Sequence, residues 1–334
     1  MRRAIDHVVA PVLELHPDMA LSIGVIADGE PVLYGHGEFR ASPSTPPAEA
    51  DERTLFEIGS ITKVFTAALL ADLVAAGRVR LEEPVGELLG LPSFPPDATL
   101  LRLATHTAGL PRLPRNLFQG GRADLGNPYA HYTTEHLMEY LRSVPPRPLR
   151  VGALEYSDLG MGLLGQALAQ RIGMSFEQAM VEHLCRPLGL HDTRITLTPE
   201  QRSRLAPPRS SSGQPVSAWE ATALAGAGAL RSTVHDLLLF LATHLGLRPS
   251  PKAAVLRACQ TIYVNDPVLS RPLARPERLC AMALGWAVAE FDGSLGVPHK
   301  VYWHTGGTGG YQSFIGFVRE SSTGVVVLSN CGPG

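Results

Sequence analysis

A serine and a lysine lie one helical turn apart near the start of a long apolar segment, in Ser60-Ile61-Thr62-Lys63. Positions i and i+3 of a helix share one face, so the Lys63 amine can reach the Ser60 hydroxyl. From Ile61 to Ala76 nearly every residue is apolar or small, which predicts a buried helix that stops at Gly77. We expect burial to lower the pKa of Lys63 below its ordinary value of about 10, so that the amine can accept a proton. This layout is typical of an activated serine nucleophile.

The pair alone does not establish catalysis, because Ser is also a common N-cap at the start of a helix. The chain has only three lysines, however, so a serine three residues before a lysine is uncommon by chance here. Other motifs must therefore decide between a catalytic and a structural serine.

Two further segments carry polar groups where they can line a cleft. Tyr156-Ser157-Asp158 stands at the junction between a loop and an amphipathic helical segment. His304-Thr305-Gly306-Gly307 follows a short strand and leads into the alternating strand 312–318. Glycines after a strand leave backbone N–H groups accessible, as an oxyanion hole requires. The alternative for this second segment is a glycine-rich hairpin turn.

In this order, Ser60-x-x-Lys63, Tyr156-Ser157-Asp158 and His304-Thr305-Gly306 resemble the three motifs of the serine β-lactamase and penicillin-binding-protein superfamily. The Tyr-led and His-led motifs resemble the class C β-lactamase branch, which also includes D,D-carboxypeptidases, D-aminopeptidases and carboxylesterases. Four further segments extend the resemblance to most of the chain: Thr105–Pro111, Arg186–Thr193, Gly228–Asp236 and Leu284–Trp286.

The resemblance implies a role for each of these residues. Ser60 would attack a carbonyl carbon, and water would then hydrolyse the acyl-enzyme. Lys63 and Tyr156 would shuttle the serine proton, and which of the two is the base stays open. The backbone N–H groups of Ser60 and Gly307 would form the oxyanion hole. The substrate-binding residues would be Asp158, His304, Thr305 and Gly306, and no cofactor is implied.

The distribution of helices and strands predicts an α+β fold. A helix over residues 3–15, a hairpin of 21–27 and 32–39 about Asp28-Gly29, and strands at 282–291, 301–304, 312–319 and 324–329 are indicated by the apolar patterns. Strands at both ends of the chain predict one sheet domain from residues 1–59 and 282–334, with a mainly helical domain, 60–281, inserted. We expect an antiparallel sheet of five or six strands flanked by helices, the β-lactamase/transpeptidase-like fold that the resemblance implies, with the site at the interface of the two domains.

Composition indicates an enzyme that acts on small molecules. The chain of 334 residues is 45% hydrophobic and has a net charge of −2, which gives no footprint for nucleic acid or an acidic membrane surface. The twelve histidines include no zinc-helix spacing, and the four cysteines are scattered, so neither a metal site nor a disulfide framework is predicted. The N-terminus has no signal-peptide pattern, which predicts a cytoplasmic protein unless a leader has been removed.

Two residues depart from the motifs they resemble, and a third feature concerns the end of the chain. Asp158 stands where an Asn is usual, and His304 stands where a Lys would supply a permanent charge. The chain stops directly after its last strand, so either it is truncated or its sheet is covered only by the N-terminal helix or by a second copy in a homo-oligomer.

These departures favour a serine hydrolase of small esters or peptide-like amides, with a carboxylesterase first. The alternatives are a class C-type β-lactamase and a D-amino-acid peptidase or D,D-carboxypeptidase. A non-catalytic binding module on the same fold is the alternative of another class.

Overall fold

The computed structural model describes residues 1–120, 124, 126–143, 152–265, 281–292 and 298–333. In these ranges a 3-10 turn, Gly59–Ile61, leads into the second helix, and a π-helical turn spans Val181–Cys185. The α-helices, α1 to α12 in chain order, are Arg2–Leu15, Thr62–Ala75, Val85–Leu88, Leu100–Ala104, Thr134–Ser143, Asp158–Ile172, Phe176–Met180, Arg186–Leu188, Pro199–Ser203, Ala225–Gly228, Val234–His244 and Ala253–Ala258. The strands, β1 to β12, are Leu21–Ala27, Glu30–His36, Glu38–Phe39, Ala48–Glu49, Phe56–Glu57, Arg231–Ser232, Val264–Asn265, Ala281–Met282, Ala287–Asp292, Pro298–Gly307, Gln312–Val318 and Thr323–Ser329.

One antiparallel sheet organises the fold. Its strand order is β2-β1-β12-β11-β10-β9-β8-β7. Six of these strands have six or more residues, whereas β7 and β8 have two each. The expected α+β class with a flanked antiparallel sheet is confirmed. The sheet has eight strands rather than five or six because the two short strands extend the edge beyond β9, and strands of two residues leave no alternating pattern in a sequence.

The hairpin that opens the sheet forms where the sequence predicts it. Asp28 and Gly29 both have positive φ angles, 53° and 81°. A two-residue turn of this kind matches the twist of the flanking strands, and Asp-Gly is a favoured pair for it. The second strand begins at Glu30 and ends at His36, and the predicted continuation to Phe39 belongs to the separate pair β3–β4.

The two faces of the sheet are covered differently. On one face Ile5 and Val9 of α1 pack against strand residues such as Ile23. On the other face α11 packs so closely that a Cβ on Gly24 would lie 2.6 Å from the Leu238 side chain. Side chains alternate between the two faces along β1, so the strand contributes to two hydrophobic cores. The core on the α11 side continues into the helical part of the protein.

Helix α2 lies at the centre of that larger core. All its residues from Thr62 to Leu73 are buried, which fits the apolar segment in the sequence. The helix ends at Ala75, and Gly77 follows with a φ of +68°. The division into two domains stays a prediction, and α11, from the segment assigned to the helical domain, packs on the sheet.

Three of the four cysteines are buried free thiols, and Cys280 lies outside the described residues. Within the described ranges, no helix has the length and apolar character to cross a bilayer, and no group of His, Cys, Asp and Glu is arranged to hold a metal ion.

Candidate active site

Ser60 lies on the 3-10 turn that joins strand β5 to helix α2. The strand delivers the chain to Gly59, whose φ of +47° turns it into the helix. Ser60 is partly exposed, whereas its neighbours Gly59 and Ile61 are buried. The hydroxyl is therefore held at the rim of a buried helix, where the first N–H groups have no partner within the helix.

The Lys63 side chain is fully buried, and its ammonium contacts four polar groups, one of which is the Tyr156 side chain. Its Nζ lies 2.8 Å from the Ser60 Oγ and 2.7 Å from the backbone carbonyl of Ala227. It also forms an ion pair of 2.7 Å with a carboxylate oxygen of Asp158. An ammonium has three N–H donors, and here each of them has an acceptor.

These contacts reverse the expectation for the charge of Lys63. Burial is the largest influence and acts to lower its pKa, as the sequence predicted. The Asp158 carboxylate and Tyr156 together outweigh burial, so the pKa of Lys63 is raised above its ordinary value. The prediction of a partly neutral amine is wrong, because the sequence shows that Lys63 is buried but not that a carboxylate is buried beside it.

Asp158 is positioned by the start of helix α6. Ser157 is the N-cap of this helix: its Oγ accepts the Gly160 N–H at 2.9 Å and donates to the Pro111 carbonyl at 2.7 Å. The Asp158 side chain is 12% exposed. Burial acts to raise its pKa, but the charge and hydrogen bond of Lys63 and the charge of Arg112 lower the pKa below its ordinary value. The carboxylate is thus ionised at neutral pH.

Tyr156 lies between Lys63 and two histidines. The Lys63 Nζ is 4.9 Å from the centre of the phenol ring, and the His106 ring is 4.4 Å from it. The Nδ1 atom of His106 accepts the backbone N–H of Ser157 at 3.1 Å, so the histidine also fixes the backbone after Tyr156. Burial and the Lys63 charge lower the pKa of His106 to about 3, which makes it neutral at pH 7.

His304, on strand β10, lies near the same tyrosine, Tyr156. Its ring centre is 6.1 Å from that of Tyr156, and its Nδ1 lies 2.6 Å from the backbone carbonyl of Thr305. The carbonyl can only accept, so Nδ1 carries the proton. Burial and the Lys63 charge lower the pKa of His304 to about 4. This position therefore has no positive charge at neutral pH, as expected from the sequence.

The glycines of the third motif let strand β10 touch the nucleophile turn. A Cβ on Gly306 would lie 2.0 Å from the Ile58 carbonyl oxygen, and one on Gly59 would lie 2.8 Å from the Gly307 nitrogen. Thr308 donates its N–H to the Tyr311 carbonyl, toward β11. Since successive residues of a strand point their N–H groups to opposite sides, the Gly307 N–H points toward Gly59 and the serine.

The Thr305 side chain lies elsewhere. It is exposed and lines a groove of about 640 Å³ between α1 and the sheet, on the face opposite to His304. Gly306 lines the same groove. The structure thus brings Ser60, Lys63, Tyr156, Asp158, His304 and the backbone of Gly307 together, but not the Thr305 side chain.

A small pocket of about 70 Å³ opens beside Ser60. Three side chains that the sequence did not single out line it: Arg112, Tyr129 and Trp219. Arg112 directly follows the segment Thr105–Pro111, so its place next to a recognised segment was a usable signal. Tyr129 and Trp219 stand in long loops, where no pattern marks them, and they meet edge to face with ring centres 5.4 Å apart.

These groups can perform acyl transfer. The serine hydroxyl contacts an ammonium, a phenol lies beside that ammonium, and the backbones of Ser60 and Gly307 line the same pocket. The combination supplies a nucleophile, a fixed positive charge, a proton carrier and donors for an oxyanion.

Comparisons with known proteins agree with this assembly. A family model described as Beta-lactamase matches residues 14–334. The chain is 27% identical to a beta-lactamase of Pseudomonas fluorescens, over 99% of this chain and 93% of that protein. It is also 27% identical to the D-alanyl-D-alanine-carboxypeptidase/endopeptidase AmpH of Escherichia coli K12, over 94% of this chain and 80% of that protein. Among solved structures, a class C beta lactamase from Rhodobacter sphaeroides superposes with a TM-score of 0.78 at 26% identity, covering 98% of this chain and 94% of that one.

Proposed function

The chain belongs to the beta-lactamase family and is a serine hydrolase, and on that premise we propose that it cleaves the amide bond of β-lactams or D-alanyl peptides through an acyl-enzyme on Ser60. The observation that carries this proposal is the 2.8 Å contact between the Ser60 Oγ and the Lys63 Nζ, with Tyr156 and Gly307 beside them. The relatives named above supply the substrate class.

In the acylation step the Ser60 oxygen forms a bond with the carbonyl carbon, and the carbon–nitrogen bond of the substrate breaks. Lys63 is held as an ammonium, so it stabilises the developing negative charge at the serine oxygen and does not act as the base. The Tyr156 phenol relays the proton: it gives its own O–H proton to the leaving nitrogen and takes the Ser60 proton in its place, so it stays neutral. The N–H groups of Ser60 and Gly307 donate to the carbonyl oxygen as it becomes negative.

Water completes the reaction. It attacks the acyl carbon, the bond to the Ser60 oxygen breaks, and the product leaves as a carboxylic acid. The proton that the water loses returns to the serine through Tyr156, so the enzyme ends in its starting state.

Asp158 favours a second candidate, a carboxylesterase. An ionised carboxylate can accept hydrogen bonds but cannot donate one to the carbonyl of an acyl amide, as an Asn at this position could. An ester also needs less help from a proton donor when its leaving group departs. The sequence analysis favoured a carboxylesterase first, but the relatives named above do not support that preference.

Covalent labelling tests the proposal. The protein is incubated with a fluorophosphonate or with a penicillin, and intact mass and peptide mapping locate the adduct. Both reagents should modify Ser60 in the wild-type protein and leave Ser60→Ala unmodified. Labelling by the fluorophosphonate alone would favour the esterase. If neither reagent modifies Ser60, the protein is a binding module rather than a hydrolase.

A further inference from the structure

Arg112 is a cation at the Ser60 pocket that none of the three motifs contains. Its side chain is 74% exposed, and its Nε lies 3.5 Å from a carboxylate oxygen of Asp158. Its guanidinium carbon is 5.8 Å from the centre of the Tyr156 ring. Arg112, Asp158, Lys63 and Ser60 thus form one chain of contacts that runs from the opening of the pocket to the nucleophile.

The charges at this pocket leave an excess of positive charge. Lys63 and Arg112 are cationic and Asp158 is anionic, while His106 and His304 are neutral at pH 7. Burial raises the pKa of Tyr129, which therefore is neutral too. Lys63 is fully buried and has all three donors engaged, so Arg112 is the cation that an incoming ligand can reach among the described residues of the pocket.

The terminal nitrogens of Arg112 are available for a ligand. The contact with Asp158 uses Nε, and the described structure gives the two terminal nitrogens no hydrogen-bond partner. A guanidinium presents these nitrogens as a planar fork that matches the two oxygens of a carboxylate.

The lining of the pocket favours the acyl side of the scissile bond over the leaving-group side. Tyr156, which would protonate the leaving group, and His304 do not line it, whereas Arg112, Trp219 and Gly307 do. A substrate that places its carbonyl oxygen at the Ser60 and Gly307 N–H groups therefore directs its acyl part toward Arg112.

We propose that Arg112 is a specificity-determining residue that binds an anionic group, a carboxylate, on the acyl portion of the substrate. This inference rests on the proposed acyl-enzyme chemistry and narrows its substrates to acyl donors that carry a carboxylate several bonds from the scissile carbonyl. Asp158 orients the guanidinium and Lys63 offsets the charge of Asp158, so the site attracts an anion despite its carboxylate.

Two activated esters of equal chain length test the inference. Mono-p-nitrophenyl adipate carries a terminal carboxylate, and p-nitrophenyl hexanoate ends in a methyl group. The wild-type protein should have the higher kcat/KM for the adipate ester, and Arg112→Gln should lower the ratio of the two kcat/KM values about tenfold. The preference should weaken at high ionic strength, because salt screens an exposed cation.

Arg115→Gln is the matched control, since Arg115 is an exposed arginine three residues further along that does not line the pocket. It should leave the ratio of kcat/KM values unchanged. Equal ratios in the wild type and Arg112→Gln would overturn the inference, while Ser60-dependent hydrolysis of the hexanoate ester would still uphold the acyl-enzyme chemistry on Ser60. Hydrolysis of neither ester, or hydrolysis that persists in Ser60→Ala, would instead contradict that acyl-enzyme chemistry and the inference with it.

Discussion

The Lys63 ammonium, on a fully buried side chain, gives N–H groups to a hydroxyl, a backbone carbonyl and a carboxylate. The carboxylate belongs to Asp158, in the position where the motif it resembles usually has an Asn. An amide there could share a hydrogen bond with Lys63 but could not hold its proton by charge. The Asp158 carboxylate, together with Tyr156, thus keeps Lys63 charged beside the serine.

Asp158→Asn should move the titration of Lys63 to lower pH. In the wild type the ion pair raises the pKa of Lys63, so the ammonium persists above its ordinary pKa of about 10.4. Without the carboxylate, burial dominates and lowers that pKa. Because the positive charge supports acylation, the alkaline fall of the acylation rate should occur at a lower pH in the variant.

The pH dependence of acylation by a fluorophosphonate measures this shift. Asp97→Asn is a suitable control, because Asp97 is an exposed carboxylate whose ion pair is with Arg102, away from the site. An alkaline limb at the same pH in Asp158→Asn and the wild type would show that Asp158 does not set the charge of Lys63.

Among the secondary-structure elements, the site depends on the contact between strand β10 and the 3-10 turn that carries Ser60. A strand and a helix start normally keep the distance that their side chains impose. Here Gly59 faces Gly307, and Gly306 faces the Ile58 carbonyl, so backbone meets backbone. This close approach brings the backbone of Gly307 to the turn that carries Ser60.

Gly306→Ala should separate these two elements. Its methyl group would lie 2.0 Å from the Ile58 carbonyl oxygen, so the strand must move away from the serine. We expect a loss of acylation rate of about 100-fold, the effect of losing one oxyanion donor, and a fall of about 1–3 kcal/mol in the free energy of unfolding. Labelling kinetics and urea denaturation measure the two effects.

Gly307→Ala provides the comparison. Its methyl group would meet no atom closer than the Tyr311 carbonyl oxygen at 3.9 Å, which is ordinary contact, so its free energy of unfolding should match that of the wild type. Equal acylation rates for Gly306→Ala and the wild type would mean that the close approach is not required.

Sequence patterns predicted the elements that carry a strong local signal. The apolar segment after Ser60 gave α2, and Asp28-Gly29 gave the first hairpin. Strand β7 was not predicted, and β8 and β9 were predicted as the single strand 282–291, because strands of two residues show no periodicity. In the site, the motifs identified the residues that meet. The charge of Lys63 depends on a carboxylate far along the chain, which no local pattern contains.

At the scale of the whole molecule, strands from the two ends of the chain pair with each other inside the sheet. Strand β1 pairs with β12 in the register Leu21 with Ser329. The fully buried Asn330 stabilises this pairing of the two chain ends. Its side-chain oxygen accepts the Ala20 N–H at 2.7 Å, and its side-chain nitrogen donates to the Pro207 carbonyl at 2.8 Å. One side chain thus joins the first strand, the last strand and the segment beyond α9.

Asn330→Ala should destabilise the whole fold. It would leave the buried Ala20 N–H and the Pro207 carbonyl without these partners, and each such loss costs about 1–3 kcal/mol. We expect the free energy of unfolding to fall by about 2–4 kcal/mol in urea denaturation. Asn265→Ala, at an exposed position of β7, should change it by less than about 0.5 kcal/mol. Equal losses in the two variants would contradict the role of Asn330.

The position of Gly307 so late in the chain has a consequence for the protein as it is made. The ribosome synthesises the chain from the N-terminus to the C-terminus, so early segments can pack while later ones are still being made. Helix α2, with its serine, is complete long before β10 emerges. We therefore expect the nascent chain to carry Ser60 without the N–H group of Gly307 until residue 307 is made, and the site to be complete only when β10 joins the sheet.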